Sequence, residues 1–198
     1  MKLNRIHLSV LLLLCLVVLM AVLPIMSLRD RSTPANPMYE HLGGNFELQS
    51  LNGPVQLSDY EGKAVMLFFG FTQCPDICPT SMAVMRQVFA ALPEQQRDNV
   101  QGIFISVDPE RDDVQRLHDY TQFFDPRIVG ITGTKAEIDA VTRQYAASYH
   151  FEESDSAMGY MVQHTARTYV IDRQGRIHDL ISHEAPYTEL LAAVSKVL

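Results

Sequence analysis

The chain has 198 residues, 47% of them apolar and 20% charged, with 23 acidic side chains against 16 basic ones and a formal charge of −7. That length holds one domain plus an appendage, at roughly 100–200 residues per domain. No Lys/Arg cluster occurs beyond Arg29-Asp30-Arg31, which argues against nucleic acid as a partner, and three cysteines are too few for a disulfide-stapled scaffold.

The appendage comes first. From Leu8 to Met26 there are 19 residues, and only Ser9 and Pro24 fall outside the apolar set. As a helix this run is about 28 Å long, close to the hydrocarbon thickness of a bilayer. Lys2 and Arg5 precede it, so the positive-inside rule places the amino terminus in the cytoplasm. The run exceeds a signal-peptide core and lacks Ala-x-Ala cleavage chemistry near Pro24-Ile25-Met26-Ser27. The expectation is a single uncleaved transmembrane helix within residues 1–28, a linker over 29–40 and a folded domain over 41–198. In a bacterial-type inner membrane that domain is periplasmic, an oxidising compartment. Cys15 lies inside the anchor, which leaves the domain two cysteines and a formal charge of −9 once Lys2 and Arg5 are set aside.

Beyond the linker the pattern alternates. Phe46, Leu48 and Leu51, then Val55 and Leu57 after Asn52-Gly53-Pro54, predict a hairpin. Ala64 to Phe71 reads as a strand buried on both faces. Pro79 is expected at the first position of a helix carrying Met82, Met85, Val88 and Phe89. Residues 102–107 predict a second buried strand, 112–124 a helix, 128–131 a short strand and 134–149 another helix. Strands over 167–171 and 177–181 follow as a hairpin, with a closing helix over 187–198. This order fits an α/β thioredoxin-like sandwich with an N-terminal hairpin extension.

The chemistry concentrates in Cys74-Pro75-Asp76-Ile77-Cys78-Pro79, at a strand-to-helix junction. Two thiols at that spacing either close a reversible disulfide or hold a soft metal as paired thiolates. Unpaired N–H groups at the helix start favour a thiolate, most of all at Cys78, whereas the Asp76 carboxylate opposes one. A metal needs a further ligand. Of His41, His118, His150, His164, His178 and His183, only His164 immediately precedes a strand expected to pack beside the cysteine loop. Two sulfurs and an imidazole suit copper, Cu(I) above all, whereas structural zinc wants four ligands. The competing reading of His164 is a satisfied core histidine. Met158 and Met161 flank it, as apolar packing or as soft relay ligands. Asp108-Pro109-Glu110-Arg111-Asp112 reads as acids opening the next helix.

Phe69 through Pro79, Ser106 through Asp112, Thr132-Gly133-Thr134 and His164-Thr165 ahead of Tyr169-Val170-Ile171-Asp172 together resemble the Sco/SenC family over residues 43–198. The resemblance implies a membrane-anchored, thioredoxin-like protein that binds one copper, as Cu(I) or Cu(II), through Cys74, Cys78 and His164. It also implies a role in assembling the dinuclear copper centre of cytochrome c oxidase, with an oxidase subunit as the client. One departure stands out: the family usually has aspartate before the ligand histidine, and this chain has Gln163. The alternative is a thiol–disulfide oxidoreductase in which Cys74 and Cys78 reduce a client's copper-ligand cysteines without needing His164.

Overall fold

The computed structural model describes residues 36–153 and 159–198, together with Leu13, Leu14, Leu16 and Met20, which are helical. The expected span over Leu8–Met26 otherwise lies outside the described residues, as do Cys15 and Met158. No helix among the described residues is long and apolar enough to cross a membrane. The chain divides into two units, Met1–Thr33 and Pro34–Leu198. The end of the expected linker is docked onto the second unit, since the Asn36 amide donates to the His178 carbonyl at 3.1 Å and Pro37–Tyr39 forms a 3-10 turn.

Strands β1 (Glu47–Ser50) and β2 (Gly53–Gln56) form the expected hairpin and bury Leu48 and Val55. Gly53 turns the chain with a φ of 115°, a value that any side chain would strain. The hairpin is joined to the main body by reciprocal backbone bonds between Gln49 and Thr132, of 2.7 and 2.9 Å.

The body is a five-stranded sheet. Strands β3 (Ala64–Gly70), β4 (Val100–Ser106) and β5 (Ile128–Ile131) run parallel. Strands β8 (Arg167–Ile171) and β9 (Ile177–Ser182) add an antiparallel hairpin on the other side of β3, in the order β5-β4-β3-β8-β9. Every residue of β3 is buried, as a central strand covered on both faces requires. Helix α1 (Ile77–Ala91) and the single turn α2 (Glu94–Arg97) connect β3 to β4, and α3 (Val114–Phe124) connects β4 to β5. Then come α4 (Lys135–Gln144), strands β6 (Tyr149–Glu153) and β7 (Tyr160–His164), and the closing helix α5 (Tyr187–Val197), which packs on α1. This is the expected thioredoxin-like arrangement.

Side-chain alternation along β3 sorts the core into two layers. Phe68 stacks on Phe104 at 6.4 Å between centroids, and Phe104 meets Tyr120 of α3. Phe69 points the other way, edge-on to Tyr145 and Tyr169.

Two expectations are corrected. Helix α1 begins at Ile77, so Pro79 is its third residue; the fit is still good, because a first-turn N–H has no helical partner to lose. The helix expected to run to Tyr149 stops at Gln144. Ala146 takes a left-handed φ of 49°, and its N–H and that of Ala147 turn back to the Arg143 and Thr142 carbonyls. That is the bonding of a glycine-type helix stop made with alanine, so no glycine advertises it. The residues beyond it, Tyr149–Glu153, pair antiparallel with Tyr160–His164 as a hairpin separate from the main sheet.

Candidate metal centre

Cys74 sits in the loop leaving β3, Cys78 in the first turn of α1, and His164 at the last position of β7. The fold brings all three together: the two Sγ atoms and one imidazole nitrogen lie within 4.8 Å of one another. His164 Nε2 is 3.4 Å from Cys78 Sγ, and the Cys78 N–H donates to Cys74 Sγ at 3.4 Å. Both cysteines are free thiols.

The imidazole is held by its surroundings. Its ring meets Phe68 and Phe71 edge-on, each 5.8 Å away between centroids. His164 Nδ1 lies 3.2 Å from the Thr165 carbonyl, which accepts its proton and leaves Nε2 bare as a donor atom toward the sulfurs. The five other histidines of the domain are not part of this cluster. Gly70 makes room for it, because a Cβ there would lie 2.8 Å from Cys78 Sγ and from the Phe104 ring.

The two thiols are chemically unequal, and the order reverses the expectation. Cys78 is fully buried, and burial pushes its thiol far up despite the helix start. Cys74 is half-buried. A hydrogen bond from the Cys78 thiol holds its own down to about 4, with help from the backbone N–H groups of Cys78 and Asp76. One sulfur is therefore a ready thiolate while the other keeps its proton. Relative to an unfolded thiol near 8.5, a depressed value adds stability that is complete above the unfolded pKa and is lost as pH falls toward about 4. Iodoacetamide should accordingly alkylate Cys74 at a rate that is flat between about pH 8 and 5 and drops near 4, with Cys78 inert. Alkylation of Cys74 that climbs about tenfold per pH unit up to pH 8 would contradict this assignment.

The Asp108–Asp112 segment does more than open a helix. Asp113, not these acids, caps α3 by accepting from the Arg116 N–H. Asp112 is buried and grips the cysteine loop, accepting from the Thr72 N–H at 2.8 Å, from the Thr72 hydroxyl, and from the Ser106 hydroxyl at 2.7 Å. Asp108, equally buried, pairs with Arg111 and accepts from the Tyr160 hydroxyl at 2.8 Å. Arg111 in turn donates to the Tyr160 carbonyl at 3.1 Å and lies 3.7 Å over the Tyr160 ring. One carboxylate thus fixes the loop that carries the cysteines, and the other fixes the hairpin that carries the histidine. The clue in the sequence was four charged residues among five directly after a buried strand.

Strand alternation settles two further residues. Gln163 and Met161 lie on the face of β7 opposite His164 and Val162. The Gln163 amide is 3.4 Å from the Glu152 carboxylate across the hairpin, which also lies 3.0 Å from His150. Gln163 therefore does not orient the imidazole, and Met161 is not aimed at the sulfurs.

Two soft sulfurs and one imidazole nitrogen, converging where the loop after the central strand β3 meets the end of β7, define a soft-metal thiolate–imidazole protein; the set fits one copper ion. The chain belongs to the SCO1/SenC family, whose profile matches residues 35–198. It is 37% identical over 156 residues to the mitochondrial SCO1 homolog of Mus musculus, covering 78% of this chain and 55% of that protein. With the SCO2-like protein of Rickettsia felis it shares 37% identity over 137 residues, covering 68% of this chain and 66% of that one. The chain spans about half the length of the mammalian SCO1 relatives it matches. Among solved structures, copper-bound ScoI of Bradyrhizobium japonicum aligns with a TM-score of 0.71 at 36% identity, over 79% of this chain and 99% of that chain. Copper-bound ScoI of Arabidopsis thaliana gives 0.73 at 32%, over 79% and 98%.

Proposed function

We propose that this chain is a copper metallochaperone, holding one copper ion through Cys74, Cys78 and His164 and passing it to an apo-cuproprotein during assembly of the dinuclear copper centre of cytochrome c oxidase. The observation that carries the reading is the convergence of three soft-metal donors within 4.8 Å, in a family whose solved members include copper-bound forms. A half-buried Cys74 beside a fully buried Cys78 leaves one side of the site open for an incoming ligand. An acceptor cysteine or histidine enters there, binds the copper, and displaces the chain's own ligands in turn. The apolar run of residues 8–26 serves as the membrane tether, and the domain works on the periplasmic side.

The unequal thiols support a second activity at the same residues. The half-buried Cys74 thiolate attacks a client disulfide, forming a mixed disulfide and releasing one client thiol. Cys78, once deprotonated, then attacks the Cys74 sulfur, leaving the client with two thiols and this chain with a disulfide. Reduction of a client's copper ligands would precede their metallation. The decisive experiment mixes copper-loaded, full-length protein anaerobically with the apo copper domain of an oxidase subunit and follows metal on each partner by native mass spectrometry. Transfer to a reduced client is the expected result. Copper that stays put, alongside disulfide exchange that also persists in His164→Ala, would make the redox activity the function.

A further inference from the structure

The hairpin that supplies His164 carries a second feature on the same face. Its register pairs Tyr149 with His164, Phe151 with Val162 and Glu153 with Tyr160, so these six side chains share one side. His164 and the buried Val162 turn inward. Tyr149, Phe151 and Tyr160 form an edge-to-face series, with centroids 5.6 and 5.3 Å apart, along a groove of about 460 Å³. Phe151 is 44% exposed, far more than its cross-strand partner Val162 at 5%. Glu110 and Glu153 stand on the rim, and neither has an ion-pair partner among the described residues. Lys135, which also lines the groove, is already paired with Asp139 at 2.8 Å.

We propose that this groove seats a lysine or arginine side chain from an extended, basic segment of the protein that exchanges copper with this chain. The inference rests on the metallochaperone reading for its partner, but on the groove's own chemistry for the ligand class. Aromatic faces beside uncompensated carboxylates attract a cation both through the ring quadrupole and through charge. The hairpin already uses its rings this way, with the Arg111 guanidinium 3.7 Å over Tyr160 and the Lys135 ammonium 5.9 Å from the Tyr149 centroid. An extended partner fits because β6 is paired on one edge only, and alternate residues of an added strand would face the groove. The chain's formal charge of −7 likewise favours a cationic partner. Docking here would seat a partner on the hairpin that carries His164, whose cross-strand neighbour Tyr149 lines the groove.

The test uses the full-length, copper-free protein and a short fluorescent peptide alternating lysine with valine, free of cysteine, histidine and methionine so that it cannot compete for the metal site. Fluorescence anisotropy is compared with that of a glutamate–valine peptide. The lysine peptide should bind, weaken with added salt, and lose about tenfold in affinity in Glu110→Gln/Glu153→Gln and in Phe151→Ala. These exposed substitutions should leave copper stoichiometry unchanged. Equal binding of both peptides, or indifference to all three substitutions, overturns the groove. Concentration-dependent self-association that disappears in Phe151→Ala would put a second copy there and would also overturn it. Failure of copper binding with lysine selectivity intact removes the metallochaperone reading and leaves the cation site standing.

Discussion

Replacing Cys78 with serine is expected to abolish copper binding, and His164→Ala to weaken it by at least about a hundredfold, the upper range for loss of a partner that merely orients a ligand. The ground is coordination number. With three donors converging among the described residues, removal of any one leaves two of them, and a serine hydroxyl is a poor substitute for a soft ion's thiolate. Cys78 is fully buried beside Gly70, so serine keeps the shape while burying a hydroxyl at a cost of about 1–3 kcal/mol. The fold should survive, and circular dichroism checks that it does. Anaerobic titration of reduced protein against a chromophoric Cu(I) chelator reads the affinities. A His164→Ala protein with unchanged affinity would assign the imidazole a packing role between Phe68 and Phe71.

Asp112→Ala should be among the most destabilising single changes outside the hydrophobic core, at about 3–5 kcal/mol. The carboxylate accepts from the Thr72 N–H, the Thr72 hydroxyl and the Ser106 hydroxyl, and its removal strands these donors away from water. For a domain of this size the melting temperature should fall by roughly 10 °C. The same change frees the loop two residues before Cys74, so copper affinity should drop about 10–100-fold in protein that is still folded. Asp112→Asn, which keeps the shape but replaces one acceptor oxygen with a donor nitrogen, should lose less stability. A shift within about 2 °C for Asp112→Ala would mean that water replaces the carboxylate and that the loop is held elsewhere.

How much of this was legible beforehand differs by residue. The continuous apolar run of β3, the even alternation of the first hairpin and the spacing of Cys74 and Cys78 are local signals, and each appears where its periodicity places it. The hairpin of β6 and β7 was hidden, because the helical pattern runs on past Gln144 and an alanine ends the helix in a conformation usually announced by glycine. The inequality of the thiols was hidden too. A helix start favours a thiolate at Cys78, but burial acts more strongly, and burial depends on what packs over the residue.

The chain's own order of residues determined the fold class, the family and the three candidate ligands, since a buried strand followed by C-P-D-I-C-P and a distant histidine before another strand is a pattern along one dimension. Only the tertiary structure decided that the Asp112 carboxylate serves the cysteine loop and the Asp108 carboxylate the histidine hairpin, because their partners Thr72 and Tyr160 lie 40 and 52 residues away in sequence. It likewise decided which cysteine keeps its proton, and that Gln163 faces away from the imidazole. Desolvation and hydrogen bonding act over a few ångströms of space, and no spacing along the chain reports which residues will share that space.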